Sequence, residues 1–378
     1  MINRDYYIKQ IQEAFEVNPV CSIVGPRQCG KTTLAKLFAS MQSSQVHIFD
    51  LENPQDASAL ASPSIALPPL EGLIIFDEIQ QKPELFSYLR YLVDNSNKKF
   101  LILGSASQDL IRQSSETLAG RISTIELPPF QLYEVKDMHR HWLRGGFPKS
   151  FLASSDIQSE KWRLEYIKTF LERDLLMMGI ETTPSNMRRL WSMIAHYHGD
   201  VLNVSELARS LTLNERTIKR YIDILEGCFM VRQLKPWHAN ISKRQIRRPK
   251  IYIRDSGLFH NLLGIPSKDI IRHPKYAASW EGYALETIIY TYDQGLSEFY
   301  FWRTEKGAEL DLLVLHQGKR IGYEFKCSES PKITRSMNIA LENLELDKIM
   351  IITPGEKSYP LNDRIFVKSI NQYKDLNG

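Results

Sequence analysis

Short apolar runs alternate with amphipathic segments through the first part of the chain. The runs at 20–24, 73–76 and 100–103 have the length and composition of strands buried on both faces of a sheet. Weaker strands are predicted at 45–50 and near Ile125, and apolar residues recur at helical spacing between the strands. This alternation of strands and helices predicts an α/β fold with a parallel sheet.

A glycine-rich loop joins the first predicted strand to the helix that follows it. Residues 25–32 match the pattern G-x-x-x-x-G-K-[ST] at every fixed position, and strand, loop and helix occur in the required order. In such a loop the backbone N–H groups face the phosphates of a nucleoside triphosphate, the lysine reaches the β- and γ-phosphates, and the threonine hydroxyl contacts Mg²⁺. The alternative is an ordinary strand-to-helix turn. The residues predicted to bind ATP are Gly25, Pro26, Arg27, Gln28, Cys29, Gly30, Lys31, Thr32 and Thr33, of which Lys31 is also predicted to act in catalysis.

Two acidic residues follow the third predicted strand, and a serine follows the fourth. The carboxyl ends of parallel strands form the usual ligand crevice of an open α/β sheet. We therefore expect Asp77 to bind Mg²⁺ together with Thr32, and Glu78 to orient or deprotonate the attacking water. Ser105 is predicted to sense the γ-phosphate or this water. The alternatives are a strand that ends in solvated acids and a simple turn serine.

A leucine, an alanine, a glycine and an arginine at 118–121 precede the strand near Ile125. Gly120 is predicted to end a helix. Arg121 lies at the edge of the predicted sheet, and we interpret it as an arginine finger that a neighbouring subunit inserts into the ATP site. Self-association is therefore expected.

Two short helices, at 204–211 and 214–222, form a predicted helix-turn-helix, and the strand at 229–234 is its expected wing. Residues 214–250 hold ten Lys or Arg against three Asp or Glu, whereas the whole chain has a net charge of only +4. Such local positive charge favours a polyanion, and we expect DNA contact dominated by phosphates. Winged modules also act as protein docking sites, which is the alternative. The predicted DNA-binding residues are Arg216, Thr217, Lys219, Arg220, Lys243, Arg244, Arg247 and Arg248.

The C-terminal part carries a second group of polar residues. A helix at 280–289 precedes three strands at 299–302, 310–315 and 320–325. Because residues two apart on a strand share a face, Glu324 and Lys326 point to the same side. Asp311 on the neighbouring strand is expected to face them. Two carboxylates can bind a divalent ion, and a lysine beside them can orient water.

Several motifs resemble a known family, the AAA+ superfamily ATPases of bacteria and archaea whose ATPase is fused to a largely uncharacterised C-terminal half. The resemblance covers nearly the whole chain. It implies an ATPase core with a helical lid, and Arg121 matches the family's Gly-Arg motif. A second sensor arginine stays open between Arg173, Arg188 and Arg189. The matching motifs are GPRQCGKTT at 25–33, FDEIQ at 76–80, GSASQDL at 104–110, LAGR at 118–121, GGFP at 145–148 and Arg173-Asp174.

The C-terminal residues resemble the PD-(D/E)XK nuclease core. Asp311, Glu324 and Lys326 match its motif, and Glu286 matches the acidic residue that is often found on its first helix. The resemblance implies a metal site formed by Glu286, Asp311 and Glu324 with Lys326. Leu310 stands where the family often has proline. The resemblance concerns the fold, so cleavage of DNA stays open beside a role in binding or assembly.

Length and composition allow several domains. The 378 residues exceed one compact core, and the apolar and charged fractions of 43% and 24% are those of a globular protein. We expect an ATPase core at 1–130, a helical lid at 131–183, a winged helix-turn-helix at 184–249 and a nuclease-like domain at 250–378.

The four cysteines are far apart, and the N-terminal segment has no signal-peptide core, so we expect a cytoplasmic protein without membrane association. The predicted function is that of an ATP-hydrolysing, DNA-associated AAA+ protein with ATP and Mg²⁺ as cofactors. One alternative is an ATP-gated, metal-dependent DNA nuclease. The other is a nucleotide-controlled scaffold or signalling switch with an inactive nuclease-like domain.

Overall fold

The N-terminal unit is built on a five-stranded parallel sheet. A computed structural model of the chain describes residues 2–105, 117–238, 245–292 and 295–375. The chain divides into one unit formed by 1–130 with 223–229, and a second formed by 131–222 with 230–378. Among the described residues, no helix has the length and apolar character needed to cross a membrane.

The strands of the first unit pair in the order β2-β3-β4-β1-β5, and every pair is parallel. Their carboxyl ends therefore share one edge, as the sequence predicts, and the α/β fold with a P-loop NTPase-like core is confirmed. Register places Asp50 beside Asp77, and Gly25 beside Ser105, at this edge. The strands are β1 Val20–Gly25, β2 Val46–Asp50, β3 Leu73–Asp77, β4 Lys99–Ser105 and β5 Ile122–Glu126.

Amphipathic helices cover this sheet. Helix α5 buries Leu85, Leu89 and Leu92 against Phe76 and Phe100 of the strands, which forms a continuous apolar core. The burial of a leucine side chain stabilises a fold by roughly 1.5–3 kcal/mol. The described helices of this unit are α1 Asp5–Val17, α2 Lys31–Ser40, α3 Pro54–Ala59, α4 Pro63–Ala66 and α5 Leu85–Asn95.

The second unit begins with a series of helices, and all but the last of them lie in the predicted lid segment at 131–183. They are α6 Leu132–Val135, α7 Met138–Arg144, α8 Pro148–Phe151, α9 Asp156–Thr169, α10 Leu175–Met177 and α11 Pro184–His196, with a π-helical turn at Phe170–Asp174. The Gly-Gly motif at 145–146 lies against Asp255. Gly145 has φ 74°, and Gly146 N donates to Asp255 Oδ2 at 2.8 Å. A Cβ at Gly145 would lie 2.2 Å from Asp255 Oδ1, so this position requires glycine.

Two helices and a two-stranded ribbon follow. Helices α12 Val204–Leu211 and α13 Glu215–Gly227 lie where the sequence predicts them, and Asn214 Oδ1 accepts from Thr217 N at 2.7 Å as an N-cap. Strands β6 Val231–Leu234 and β7 Lys250–Ile253 pair antiparallel. Strand β7 therefore belongs with β6, although the sequence-based boundary separated them after residue 249. The ribbon's connection also bonds to the C-terminal sheet, because Trp237 N donates to Phe301 O at 2.7 Å.

The C-terminal sheet has six strands in the order β12-β13-β11-β10-β9-β8. Strands β8, β9 and β10 are antiparallel neighbours, whereas β10, β11 and β13 run parallel. The predicted helix and three strands are all present, each slightly longer than expected. The elements are α14 Ser256–Leu262, α15 Tyr276–Ile289, β8 Ser297–Arg303, β9 Glu309–His316, β10 Lys319–Phe325, α16 Arg335–Asn343, β11 Lys348–Thr353, β12 Tyr359–Pro360 and β13 Ile365–Ser369.

Candidate functional site

The loop at 25–30 turns sharply between β1 and α2. Gln28 and Gly30 have φ of 63° and 104°, so the backbone is left-handed at two places in one loop. The loop also begins in a tight space, because a Cβ at Gly25 would lie 2.2 Å from Leu127 O. Helix α2 starts at Lys31, and its N-terminal end carries the positive end of the helix dipole. The predicted phosphate loop therefore has the backbone geometry that an anion site needs.

Lys31 folds over this loop. Its side chain is buried, and Nζ donates to Gly25 O and Pro26 O, both at 3.0 Å. Carbonyl oxygens are weaker partners for an ammonium group than a phosphate, because a phosphate carries full negative charge whereas a carbonyl oxygen carries only a partial one. The lysine is thus held at the mouth of the loop by contacts that an anion can replace.

Thr32 and Asp77 meet at the carboxyl edge of the sheet. Thr32 Oγ1 donates to Asp77 Oδ2 at 2.6 Å, and Glu78 N donates to Asp77 Oδ1 at 3.0 Å. Burial raises the pKa of Asp77, and the nearby charges of Glu78 and Asp50 raise it further. The hydrogen bond from Thr32 and the charge of Lys31 lower this pKa and offset part of the rise. A carboxylate in this setting is stabilised by a cation. Hydroxyl and carboxylate oxygens are the ligands that Mg²⁺ prefers, so these two residues fit that ion.

Glu78 lies directly after β3 in a left-handed conformation, with φ 54°. Its side chain accepts from Gln80 Nε2, and Glu78 Oε1 lies 3.9 Å from Arg27 Nη2. Arg27 also donates to Glu52 Oε1 at 2.8 Å. The predicted water-orienting carboxylate is therefore brought to the same edge as the phosphate loop and is held there by an amide and a guanidinium.

Arg4 holds the phosphate loop through two backbone carbonyl groups, and no sequence motif indicates this role. It is 6% exposed, and its guanidinium donates to Cys29 O at 3.2 Å and to Pro128 O at 3.0 Å. Its charge also lies 4.7 Å from the ring centroid of Tyr7, a cation–π distance. Arg4 thus joins helix α1, the phosphate loop and the segment that follows β5.

Three other residues predicted for the ATP site are Cys29, Thr33 and Ser105. Cys29 is fully buried, and burial raises the pKa of its thiol. Thr33 is exposed on α2. The backbone of Ser105 pairs beside Gly25, but its side chain and the rest of the GSASQDL motif from residue 106 lie outside the described residues. The sensor role of Ser105 stays a prediction.

Arg121 lies at the opposite edge of the sheet from the phosphate loop of its own chain. Val20 N donates to Arg121 O, at the amino end of β1, whereas the loop begins at its carboxyl end. Five residue steps along a strand span roughly 16 Å. The guanidinium forms a two-pronged ion pair with Asp94, with Nε–Oδ1 at 2.6 Å and Nη2–Oδ2 at 3.0 Å. This bond lowers the pKa of Asp94. The finger role stays a prediction, as does the choice among the exposed Arg173, Arg188 and Arg189.

The predicted DNA-contacting face lies on α13. Arg216, Lys219 and Arg220 are exposed, and Thr217 is partly exposed. Arg220 Nη2 donates to Glu181 O at 3.3 Å, which leaves its charge without an acidic partner in that bond. Of the predicted basic residues in the ribbon connection, Arg247 and Arg248 are exposed, whereas Lys243 and Arg244 lie outside the described residues.

A second charged cluster lies on the C-terminal sheet, around the predicted Asp311, Glu324 and Lys326. Lys326 Nζ lies 2.7 Å from Glu324 Oε2 and 3.6 Å from Asp311 Oδ2. Asp311 Oδ2 also accepts from Phe325 N at 3.1 Å. Burial, followed by the charge of Asp311, raises the pKa of Glu324 to about 8. The structure thus brings these three predicted residues together.

Glu286 does not join them, so this part of the predicted metal site is corrected. Its carboxylate pairs with Arg232, at 2.5 and 2.9 Å, and with Arg254, at 3.4 Å. The helix residue that faces the cluster is Glu281, whose charge acts on Asp311 and Glu324. Five helix positions correspond to a rotation of about 140°, which separates the two carboxylates around α15.

Lys250 is the other residue in this cluster that the sequence did not indicate as part of it. Its ammonium group lies 2.6 Å from Glu309 Oε1, 3.2 Å from Glu281 Oε1 and 3.9 Å from Asp311 Oδ1. In the described part of the chain, no group of three or more His, Cys, Asp or Glu is arranged to hold a metal ion. The ammonium group of Lys250 thus lies beside the Asp311 carboxylate, which the nuclease resemblance assigns to a metal ion.

Comparisons with known proteins agree with the fold of the first unit. A family model described as an AAA domain matches residues 17–136, and two domains of unknown function, DUF8612 and DUF4143, match 135–269 and 276–373. Uncharacterised proteins of Mycobacterium bovis and Mycobacterium tuberculosis are each 46% identical over 377 residues, covering 98% of this chain and 85% of theirs. A Walker-type ATPase of Pyrococcus abyssi superposes with a TM-score of 0.50 at 15% identity, covering 69% of this chain and 96% of that chain.

Proposed function

This chain belongs to the same family as the uncharacterised mycobacterial proteins, and we infer from its AAA domain and site geometry that it binds and hydrolyses ATP. The observation that carries this proposal is the meeting of Thr32 and Asp77 at 2.6 Å beside the loop that holds Lys31. A hydroxyl, a carboxylate and an ammonium group at the carboxyl ends of β1 and β3 supply the chemistry that a nucleoside triphosphate needs.

The residues act as follows in this proposal. The N–H groups of the loop bind the phosphates, and Lys31 exchanges its two carbonyl partners for phosphate oxygens. Thr32 and Asp77 would hold Mg²⁺, which neutralises phosphate charge when bound. Glu78 orients a water whose oxygen attacks the γ-phosphorus, and it accepts a proton from that water. The bond from this phosphorus to the bridging oxygen breaks, so that ADP and phosphate leave.

Arg121 is proposed to act on a neighbouring subunit. In its own chain it faces Asp94 at the edge away from the phosphate loop, so it cannot reach the ATP bound to that chain. Reaching another subunit's ATP requires release from Asp94. An arginine finger typically raises turnover by about 10³ to 10⁵. Assembly would therefore control hydrolysis.

We also propose that the exposed basic face of α13 associates with DNA. Its support is the exposure of Arg216, Lys219 and Arg220 on this helix. Residues 214–250 hold ten basic against three acidic residues, but Arg232 and Lys250 among them pair with carboxylates instead. The test is binding of a fluorescent duplex at several salt concentrations by Arg216→Ala/Lys219→Ala. A matched control neutralises Lys161 and Lys168, which are exposed on α9.

Each lost phosphate contact should lower the slope of log affinity against log salt by about 0.9. The slope for Arg216→Ala/Lys219→Ala should therefore be smaller than the wild-type slope by about two, whereas the control should keep the wild-type slope. Equal slopes for both would reject a recognition role for α13. If the wild type binds no duplex at any salt concentration, the scaffold alternative is favoured.

The element order of the C-terminal sheet supports a nuclease-like fold: a helix, three antiparallel strands, a second helix and a parallel strand. Fold alone does not establish cleavage. Incubation of plasmid DNA with Mg²⁺ or Mn²⁺ tests the ATP-gated nuclease alternative. Cleavage that Asp311→Ala abolishes and Lys31→Ala retains would favour it.

The experiment that tests the whole proposal is ATP turnover with and without single- and double-stranded DNA. We expect turnover by the wild type, its loss in Lys31→Ala, and a change in rate when DNA is present. Turnover that is unaffected by Lys31→Ala would reject the site. If neither single- nor double-stranded DNA alters ATP turnover, the proposed coupling between DNA binding and ATP hydrolysis is rejected.

A further inference from the structure

Lys250 occupies the centre of the acidic cluster in the C-terminal domain. It is 2% exposed, and its ammonium group contacts Glu281 and Glu309 and lies 3.9 Å from Asp311. Lys326 approaches Asp311 from the other side, at 3.6 Å from Oδ2. The two oxygens of Asp311 thus face two different lysines.

The position of Lys250 is determined by backbone pairing. It starts β7, where it pairs with Leu234 of β6, and it also forms a bridge to Val201. This pairing fixes the backbone of Lys250 on both sides of the strand. Its ammonium group is held in the cluster by the carboxylates of Glu281 and Glu309.

The charge of Lys250 is well supported in this setting. Burial opposes the charged form, but Glu281, Tyr252, Asp311 and Glu309 together raise the pKa of Lys250 well above its ordinary value. Removing one partner from a buried ion pair leaves an uncompensated charge, which is strongly destabilising. The carboxylates would need another cation if the lysine were absent.

We infer that Lys250 is the resident cation of this cluster and takes the place of the divalent ion that a nuclease-like site would bind. The domain would then keep its acidic residues together without metal. Its carboxylates serve to anchor the ribbon strand β7 to the sheet through Glu309 and Glu281. This inference is independent of ATP hydrolysis, which uses a different site.

A titration of the nucleotide-free, full-length chain with Mn²⁺, followed by electron paramagnetic resonance, tests this inference. The variants are wild type, Asp311→Asn, Lys250→Met and Lys250→Met/Asp311→Asn. Methionine keeps the length of the lysine stem and removes its charge. Any binding at the phosphate loop is common to all four proteins, so differences between them report on the cluster.

We expect wild type and Asp311→Asn to bind Mn²⁺ equally, because the cluster of the wild type accepts no ion. Lys250→Met should gain a site at least about tenfold tighter than any in wild type, and the double variant should lose it. Mn²⁺ should also raise the melting temperature of Lys250→Met more than that of the other three proteins, since a ligand stabilises the state that binds it.

Tighter Mn²⁺ binding by wild type than by Asp311→Asn would overturn the inference, whether or not Lys250→Met folds. A folded Lys250→Met with no new Mn²⁺ site would also overturn it. ATP turnover measured on the same samples shows separately whether the ATPase proposal holds.

Discussion

Replacing Gly25 by alanine should disable the phosphate loop through a steric clash. The new Cβ would lie 2.2 Å from Leu127 O, more than 1 Å inside ordinary contact, and this oxygen belongs to the backbone. One residue earlier, Leu127 N donates to Val24 O at 2.7 Å, which holds the two segments together. The clash therefore cannot be relieved without loss of this hydrogen bond.

The expected magnitude follows from these two contacts. Overpacking costs about 1–3 kcal/mol, and the hydrogen bond contributes about 1 kcal/mol, which gives roughly 2–4 kcal/mol. If this whole cost falls on the ATP-binding conformation of the loop, ATP affinity falls by roughly 30- to 700-fold, because each 1.4 kcal/mol corresponds to a factor of ten. Titration of a fluorescent ATP analogue measures this change.

Gly120→Ala is the matched control for this variant. Gly120 has φ 72° with nothing within 4 Å of a Cβ, so alanine there introduces backbone strain of roughly 1–2 kcal/mol without a clash. It should lower the melting temperature slightly and leave ATP affinity unchanged. Wild-type affinity and melting temperature in Gly25→Ala would refute the reasoning.

Three other variants test separate parts of the structure. Arg121→Ala should bind ATP normally and turn it over about 10³-fold more slowly than the wild type. Because the arginine acts on a neighbouring subunit, the specific activity of the wild type should rise with protein concentration. His198→Asn should make the free energy of unfolding fall less steeply as the pH is lowered. Burial lowers the pKa of His198 to about 3, so the neutral imidazole stabilises the fold fully above about pH 6.5, and this stabilisation is lost as the pH falls toward 3. The asparagine oxygen can still accept from Ile253 N, and melting temperatures from pH 7 to 4 measure the change. Gly145→Ala should lower the melting temperature, because its Cβ would displace the Asp255 carboxylate.

Each of these variants has a control or a contrary outcome. Asp94→Ala releases Arg121 from its ion pair and should keep turnover, whereas normal turnover in Arg121→Ala would remove the finger. An unchanged acid slope in His198→Asn would show that other groups cause it. Gly179→Ala, at φ 73° in open space, should cost less than Gly145→Ala, and an equal cost would contradict the clash.

The ATPase half of the structure could be predicted from sequence because its signals are local. A fixed loop pattern, an apolar run that ends in Asp77-Glu78 and helical spacing each specify an element, and the parallel sheet brings their ends together. Arg4 could not be predicted, because its partners Cys29 and Pro128 are distant in sequence and are carbonyl groups. Any residue type presents that acceptor.

The acidic cluster shows a different limit of sequence reasoning. Alternation along β10 correctly placed Glu324 and Lys326 on one face, since that rule depends on residues two apart. The helix residue depended on which face of α15 packs on the sheet, and nothing local distinguishes Glu281 from Glu286. The sequence places Lys250 in the basic segment at 214–250, whereas the pairing of β7 with β6 places it in the acidic cluster.

Phosphate release at saturating ATP and Mg²⁺, measured for wild type and Glu78→Gln together with ATP binding, tests the central claim most directly. Wild type should release phosphate, whereas Glu78→Gln should bind ATP with similar affinity and release phosphate at least about 100-fold more slowly. Absence of ATP binding by the wild type, or equal release by the two proteins, would contradict the account.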